Sequence, residues 1–242
     1  MADRFEVIRP IGRGGMGEVY EAFDRVLGER VALKVMRSTA RDHAAMTARF
    51  RREVQLARRV THPGVCRVHD VVFHRGESGQ PLLVLTMELL EGETLGERLR
   101  RAPLSTPETL SITSEIAAAL DAAHEHGILH GDIKPENVIL AARSGGAPRA
   151  VLTDFGLARA LGGDHSLVEA TVMGTPAYMA PELFRGAAPS VATDLYAFAL
   201  LTYRVLSPAD DLWQTTRALS FGQHEPPTLP RGLAHLDAFG SA

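Results

Sequence analysis

A short polar run, His130 to Leu140 (HGDIKPENVIL), and the string TDFGLAR that begins at Thr153 carry the side chains best suited to chemistry. The run holds an acid, Asp132, then a lysine, Lys134, and an amide, Asn137, before three apolar residues that read as a buried strand. An acid beside a fixed cation, with an amide oxygen following, suits phosphoryl transfer. In that reaction the protein mainly positions groups, orients an attacking hydroxyl and neutralises phosphate charge with lysine and metal. HxD alone reads as a solvated turn, whereas the whole run followed by DFG is too specific for that reading.

Lysine usage points to the same places. Of the 26 basic residues only two are lysine, Lys34 and Lys134, and the other 24 are arginine. A background that writes its basic residues as arginine has kept lysine where a compact ammonium, rather than a broad planar fork, fits beside phosphate oxygens.

These residues need elements to hold them. Residues 5–36 alternate as strands do: Phe5, Val7 and Ile11, then Val19, Glu21 and Phe23, then Val31, Leu33 and Val35. Between the first two lies Gly12-Arg13-Gly14-Gly15-Met16-Gly17, a GxGxxG string that dinucleotide folds place where a strand turns into a helix. Here GEVYEAFD follows and alternates like a second strand, so the string reads as a hairpin whose backbone can approach phosphates. Residues 41–60 predict a helix with Phe50, Val54 and Ala57 on one stripe and Glu53 beside it, stopped by His62-Pro63-Gly64. Apolar strands are expected near 65–73 and 81–89. Ser105-Thr106-Pro107-Glu108 is a helix start and Gly127 its stop, with Ile112, Ile116, Ala119 and Ala123 between them. His124 and His126, at that helix's end and in no metal-ligand pattern, are expected to be surface or capping residues. SGGAP at 144–148 predicts a hairpin turn, and SVATDLYAFALLTYRVL, apolar almost all round, predicts a buried helix. Asp194 inside that helix needs hydrogen-bond donors to be tolerated.

Composition sets outer bounds. With 242 residues, 45% of them hydrophobic, the chain can form one large domain or two small lobes. A net charge of -3 gives no reason to expect nucleic acid or an anionic membrane as partner. The single cysteine, Cys66, allows no internal disulfide and fits a reducing compartment. MADRFEVIRP lacks a signal-peptide core, and no run of about 20 apolar residues occurs. A cytoplasmic protein is the expectation.

GRGGMG at 12–17, VALK at 31–34, the run at 130–140, DFG at 154–156 and APE at 180–182 together resemble the serine/threonine protein kinases, in particular the eukaryotic-like kinases of bacteria. The resemblance covers residues 5 to 206. It implies an α+β, bilobal protein-kinase-like fold: a small, mainly antiparallel β N-lobe (1–87) with one helix, a hinge (88–91), and a larger, mainly helical C-lobe (92–242), all one domain. It implies ATP and Mg2+ as cofactors and serine or threonine hydroxyls of proteins as acceptors, with Asp132 and Lys134 catalytic and Asn137 and Asp154 on the metal. Ile11 through Gly17, Glu18, Val19, Ala32, Lys34, Glu53, Met87, Glu88, Leu90 and Ile139 would bind the nucleotide. Among them Glu53 would pair with Lys34, Met87 would close the back of the adenine pocket, and the 88–90 backbone would pair with adenine. Asp194 would take its donors from the catalytic-loop backbone near His130. GTPAYMAPE at 174–182 would dock substrate, with Thr175 near Asp132 and Lys134.

The pattern departs from the family in two places. Gly131 stands where the family usually has an arginine that pairs with a phosphorylated activation segment, so activity is expected not to require phosphate on Thr171. Only 36 residues follow Leu206, fewer than the family's further helices need, so the lower lobe is expected to be incomplete and Glu182 without its usual arginine. The alternatives are a catalytically weak nucleotide-binding scaffold, or a small-molecule kinase of the aminoglycoside phosphotransferase type, against which GTPAYMAPE and Lys134-Pro135 argue.

Overall fold

The computed structural model describes residues 4–14, 17–37, 51–52, 54–75, 81–143, 145–155 and 176–206. Gly15, Met16, Glu53, Gly156, Thr171, Thr175 and everything from residue 207 onward lie outside the described residues, together with the expectations placed on them.

Five strands, β1 (Phe5–Gly14), β2 (Gly17–Asp24), β3 (Glu29–Arg37), β4 (Val68–Arg75) and β5 (Pro81–Glu88), form a sheet of order β1-β2-β3-β5-β4 with every neighbour antiparallel. Strand periodicity sends alternate residues to opposite faces. On β3, Val31 and Leu33 pack with Phe5, Ala22 and Val84 on one face, while Ala32 and Met36 pack with Leu83, Leu85 and Met87 on the other. Lys34 lies between Ala32 and Met36 in register and shares their face, directly across from Val19 on one side and Leu85 on the other. Val54, from a helical stretch at 51–52 and 54–57, covers that face. The strand expected near 65–73 begins later, at Val68, because Val65 instead bridges in parallel to Leu152 of the other lobe.

A second sheet, β6 (Gly92–Thr94), β7 (Val138–Ala141) and β8 (Arg149–Leu152), lies among the helices α1 (Leu95–Arg101), α2 (Thr106–Glu125), α3 (Pro181–Phe184) and α4 (Val191–Leu206). The start of α2 is built as its sequence dictates: the Ser105 hydroxyl accepts from the Glu108 amide, and the Glu108 carboxylate accepts from the Ser105 amide. Ile112, Ile116, Ala119, Leu120 and Ala123 form its buried stripe, packed with Val138, Leu152 and Leu201. Gly127 ends it with a φ of 69°. Helix α4 is buried on one face only; Val191 and Leu195 are exposed, Leu195 by 52%. That corrects the expectation of burial all round: among the described elements α4 meets α2 and the Pro176–Tyr178 turn, and the face bearing Val191 and Leu195 is left exposed. No helix among the described residues is long and apolar enough to cross a membrane.

Candidate active site

The loop between α2 and β7 is fixed from beneath by one carboxylate. Asp194 of α4, buried, accepts the His130 amide on Oδ2 and the Gly131 amide on Oδ1, each at 2.8 Å. These bonds, expected from the resemblance, offset the cost of burying the acid. A third donor was not expected: His124 Nε2 lies 2.9 Å from Asp194 Oδ2. His124 is therefore not a surface or capping residue, although His126 is, with its Nδ1 2.8 Å from the Ala122 carbonyl. The sequence did hold the signal, because residue 124 follows Ile116 and Leu120 at helical spacing on the buried stripe.

Gly131 takes a φ of 75°, the left-handed region that favours glycine, and nothing lies within 4 Å of where a side chain would start. His130 is fully buried, and its ring meets Phe155 at 4.5 Å between centroids. Burial holds the imidazole pKa below its ordinary value, outweighing the pull of Asp194, Asp132 and Asp154. The Asp132 amide reaches His130 Nδ1 at 3.3 Å, so that nitrogen is the acceptor.

At the top of the loop the predicted groups converge. Lys134 Nζ donates to Asp132 Oδ2 at 2.6 Å, and Asn137 Nδ2 donates to the same oxygen at 2.9 Å and to the Asp132 carbonyl at 2.7 Å. A single turn, Pro135–Asn137, folds the amide back to the acid. With its nitrogen committed to Asp132, Asn137 keeps its side-chain oxygen for another partner. The Asn137 carbonyl accepts the Thr153 amide at 2.9 Å and hydroxyl at 3.3 Å, which brings Asp154 to the same end of the small sheet.

Asp154 is the only described non-glycine residue with positive φ, 68°. Such a conformation costs about 1–3 kcal/mol and persists only where its surroundings hold it. Its Oδ1 lies 2.7 Å from Lys34 Nζ, the lysine side chain being 6% exposed. Lys34 thus has Asp154 as its described partner, so the two groups assigned to phosphate and metal meet across the lobes.

Buried Ala32 and Met87 cluster with partly buried Val19, Leu90 and Ile139, bringing together five residues that the resemblance assigned separately to the nucleotide. Ile11 and Arg13 are exposed, Arg13 pairing with Glu18 at 3.6 Å. Gly12 sits opposite Val19, and Gly14 opposite Gly17 in the hairpin. At Gly17, φ 144°, a Cβ would stand 2.1 Å from the Val35 carbonyl oxygen, so only glycine lets β2 lie this close to β3. The Glu88 amide donates to the Arg67 carbonyl at 2.9 Å. Beside it Cys66 is buried, which pushes its thiol pKa well up and leaves it inert. Among the described residues no group of three or more His, Cys, Asp or Glu could hold a metal.

Comparison with known proteins agrees with this geometry. The profile of the protein kinase domain matches residues 5–224. The serine/threonine-protein kinase pkn2 of Myxococcus xanthus is 42% identical over 207 residues, 84% of this chain and 24% of that protein. The probable serine/threonine-protein kinase PknB of Lactococcus lactis is 38% identical over 208 residues, 85% of this chain and 32% of that protein. The chain thus spans about a quarter to a third of the length of these relatives. The crystal structure of the Mycobacterium tuberculosis PknI kinase domain superposes with a TM-score of 0.71 at 30% identity, covering 97% of this chain and 84% of that one. With the catalytic-loop groups and the Lys34–Asp154 pair on a two-lobed α+β frame, the chain belongs to the protein kinase family, in its bacterial serine/threonine branch.

Proposed function

We propose that this chain transfers the γ-phosphate of ATP to serine or threonine hydroxyls of protein substrates, in an ATP- and Mg-dependent reaction of signal transduction. The observation that carries the reading is the single oxygen, Asp132 Oδ2, held by both Lys134 and Asn137. Fixed in this way, the carboxylate orients an incoming hydroxyl and accepts its proton as the oxygen attacks phosphorus. Lys134, already beside that acid, offsets the charge on the transferred group. The bond between the γ-phosphorus and the β-γ bridging oxygen breaks, the new ester bond forms, and ADP leaves with the electron pair.

Two oxygen ligands, the Asp154 carboxylate and the Asn137 side-chain oxygen, suit Mg2+, which is usually bound by few protein groups together with water and substrate phosphates. When bound, the ion neutralises phosphate charge. Lys34, now on Asp154, would hold the phosphates beside that metal ligand. The slot formed by Val19, Ala32, Met87, Leu90 and Ile139 takes a flat apolar ring between the lobes.

The test is incubation with labelled ATP and Mg2+, presenting a generic protein substrate and a panel of small amino-alcohols separately. Label on protein serine or threonine supports the reading. Label confined to the small alcohols makes the chain a small-molecule kinase, and nucleotide binding with no transfer makes it a scaffold.

A further inference from the structure

Behind the hinge the lobes meet at a cleft of about 570 Å³, bordered by Pro63, Arg67, Glu88 and Arg149. Apolar packing does not fill this space, so polar bridges must hold the hinge from its rear. Arg149, the first residue of β8 in the second lobe, supplies one. Its Nη1 donates to the Pro63 carbonyl at 2.7 Å, and its Nη2 to Glu88 Oε1 at 3.2 Å. The second oxygen of Glu88 accepts the Arg67 amide at 3.4 Å. One guanidinium therefore grips both the hinge and the loop that precedes β4.

That loop belongs in sequence to the first lobe but is moored to the second. The Cys66 amide donates to the Leu152 carbonyl and the Leu152 amide to the Gly64 carbonyl, both at 2.8 Å. A Cβ on Gly64 would stand 3.0 Å from that of Ala119 in α2, so the loop lies hard against that helix. Rotation of one lobe on the other would have to move Glu88 relative to this mooring, and Arg149 spans the two points.

We infer that Arg149 is a positioning residue for the nucleotide: it braces the hinge from behind and sets the gap between the slot's roof, Val19 and Ala32, and its floor, Ile139. The inference rests on the ATP reading above. Asp132, Lys134 and Asn137 hang on the second lobe's own loop, so the brace acts on nucleotide affinity and leaves the transfer step alone. Arg149 and Glu88 side chains are 25% and 35% exposed. A pair so placed is partly screened and modest in strength.

The experiment compares wild type with Arg149→Met, which keeps the apolar stem and loses the donors, and with Arg149→Lys, Glu88→Gln and the Arg149→Met/Glu88→Gln double variant. Kd for a fluorescent ATP analogue with Mg2+, KM for ATP, and kcat at saturating ATP are read alongside amide hydrogen exchange without nucleotide. For Arg149→Met, Kd and KM should rise about fivefold while kcat stays within about twofold. Arg149→Lys, able to reach one acceptor at a time, should fall between, and the Met substitution should cost less in the Glu88→Gln background. The Cys66 and Glu88 amides should exchange faster in Arg149→Met. Unchanged affinity, or kcat falling as far as KM rises, overturns the brace. If wild type itself fails to bind nucleotide, the ATP reading fails instead, and unaltered exchange at Cys66 and Glu88 then overturns the brace separately.

Discussion

Lys34 and Gly131 show what a single position decides. Lys34 reaches Asp154 at 2.7 Å from a site where its side chain is 6% exposed, leaving little room for a planar fork. Lys34→Arg keeps the charge, yet its fork cannot sit between carboxylate and phosphates as an ammonium does. Turnover should fall at least about tenfold, 1.4 kcal/mol in barrier terms, and near-normal turnover would contradict the assignment. At Gly131 no guanidinium extends from the catalytic loop toward an activation segment. A phosphate there carries about -1.5 to -2 charge and orders a loop only through cations that receive it. Thr171→Ala and phosphatase-treated protein should therefore keep turnover close to that of untreated wild type, with phosphorylation checked by mass spectrometry. A tenfold fall would mean that another cation receives the phosphate.

Helix α2 connects sequence to site at the scale of the element. Its capping box starts it, its stripe seats it on β7 and β8, and its last turn delivers His124 to Asp194. Ser105→Ala removes the hydroxyl that accepts the Glu108 amide and should destabilise the protein by about 1 kcal/mol, read from the urea midpoint. An unchanged midpoint would show that the cap is replaced by water without loss. Local signals of this kind explain why the elements could be foreseen: a cap, a glycine stop and a period of 3.6 or 2 are written in neighbouring residues. The late start of β4 and the open face of α4 were not foreseeable in the same way. Val65 bridges to Leu152, and α4 is covered on the face that meets α2 and the Pro176–Tyr178 turn, so both facts depend on residues distant in sequence. Arg149 is the sharpest case. Nothing in RAVL suggests that its first residue reaches Pro63 and Glu88, whereas Asp132, Lys134, Asn137 and Asp154 stand in strings specific enough to be placed unaided.

The whole molecule joins its lobes through the hinge, the Val65–Leu152 bridge and the Lys34–Asp154 ion pair, while within the second lobe the buried His130 ring meets that of Phe155. The His130 pKa is lowered by burial, so below its ordinary value of about 6.5 the unfolded chain binds a proton that the folded one does not. Stability should therefore be lost as pH falls through that value and be fully present above it. Urea midpoints at pH 5.5 and 7.5 should differ more for wild type than for His130→Phe, and equal differences would contradict a buried neutral imidazole. In the proposed reaction Asp132 acts on the acceptor hydroxyl while the nucleotide is held elsewhere, by Lys34, Asp154 and the slot. The most direct test compares Asp132→Asn with wild type in phosphate transfer to a protein substrate and, separately, in ATP-Mg binding. The account predicts a loss of transfer of about 10²–10⁴-fold with nucleotide affinity nearly unchanged; equal losses in both, or transfer at the wild-type rate, would contradict it.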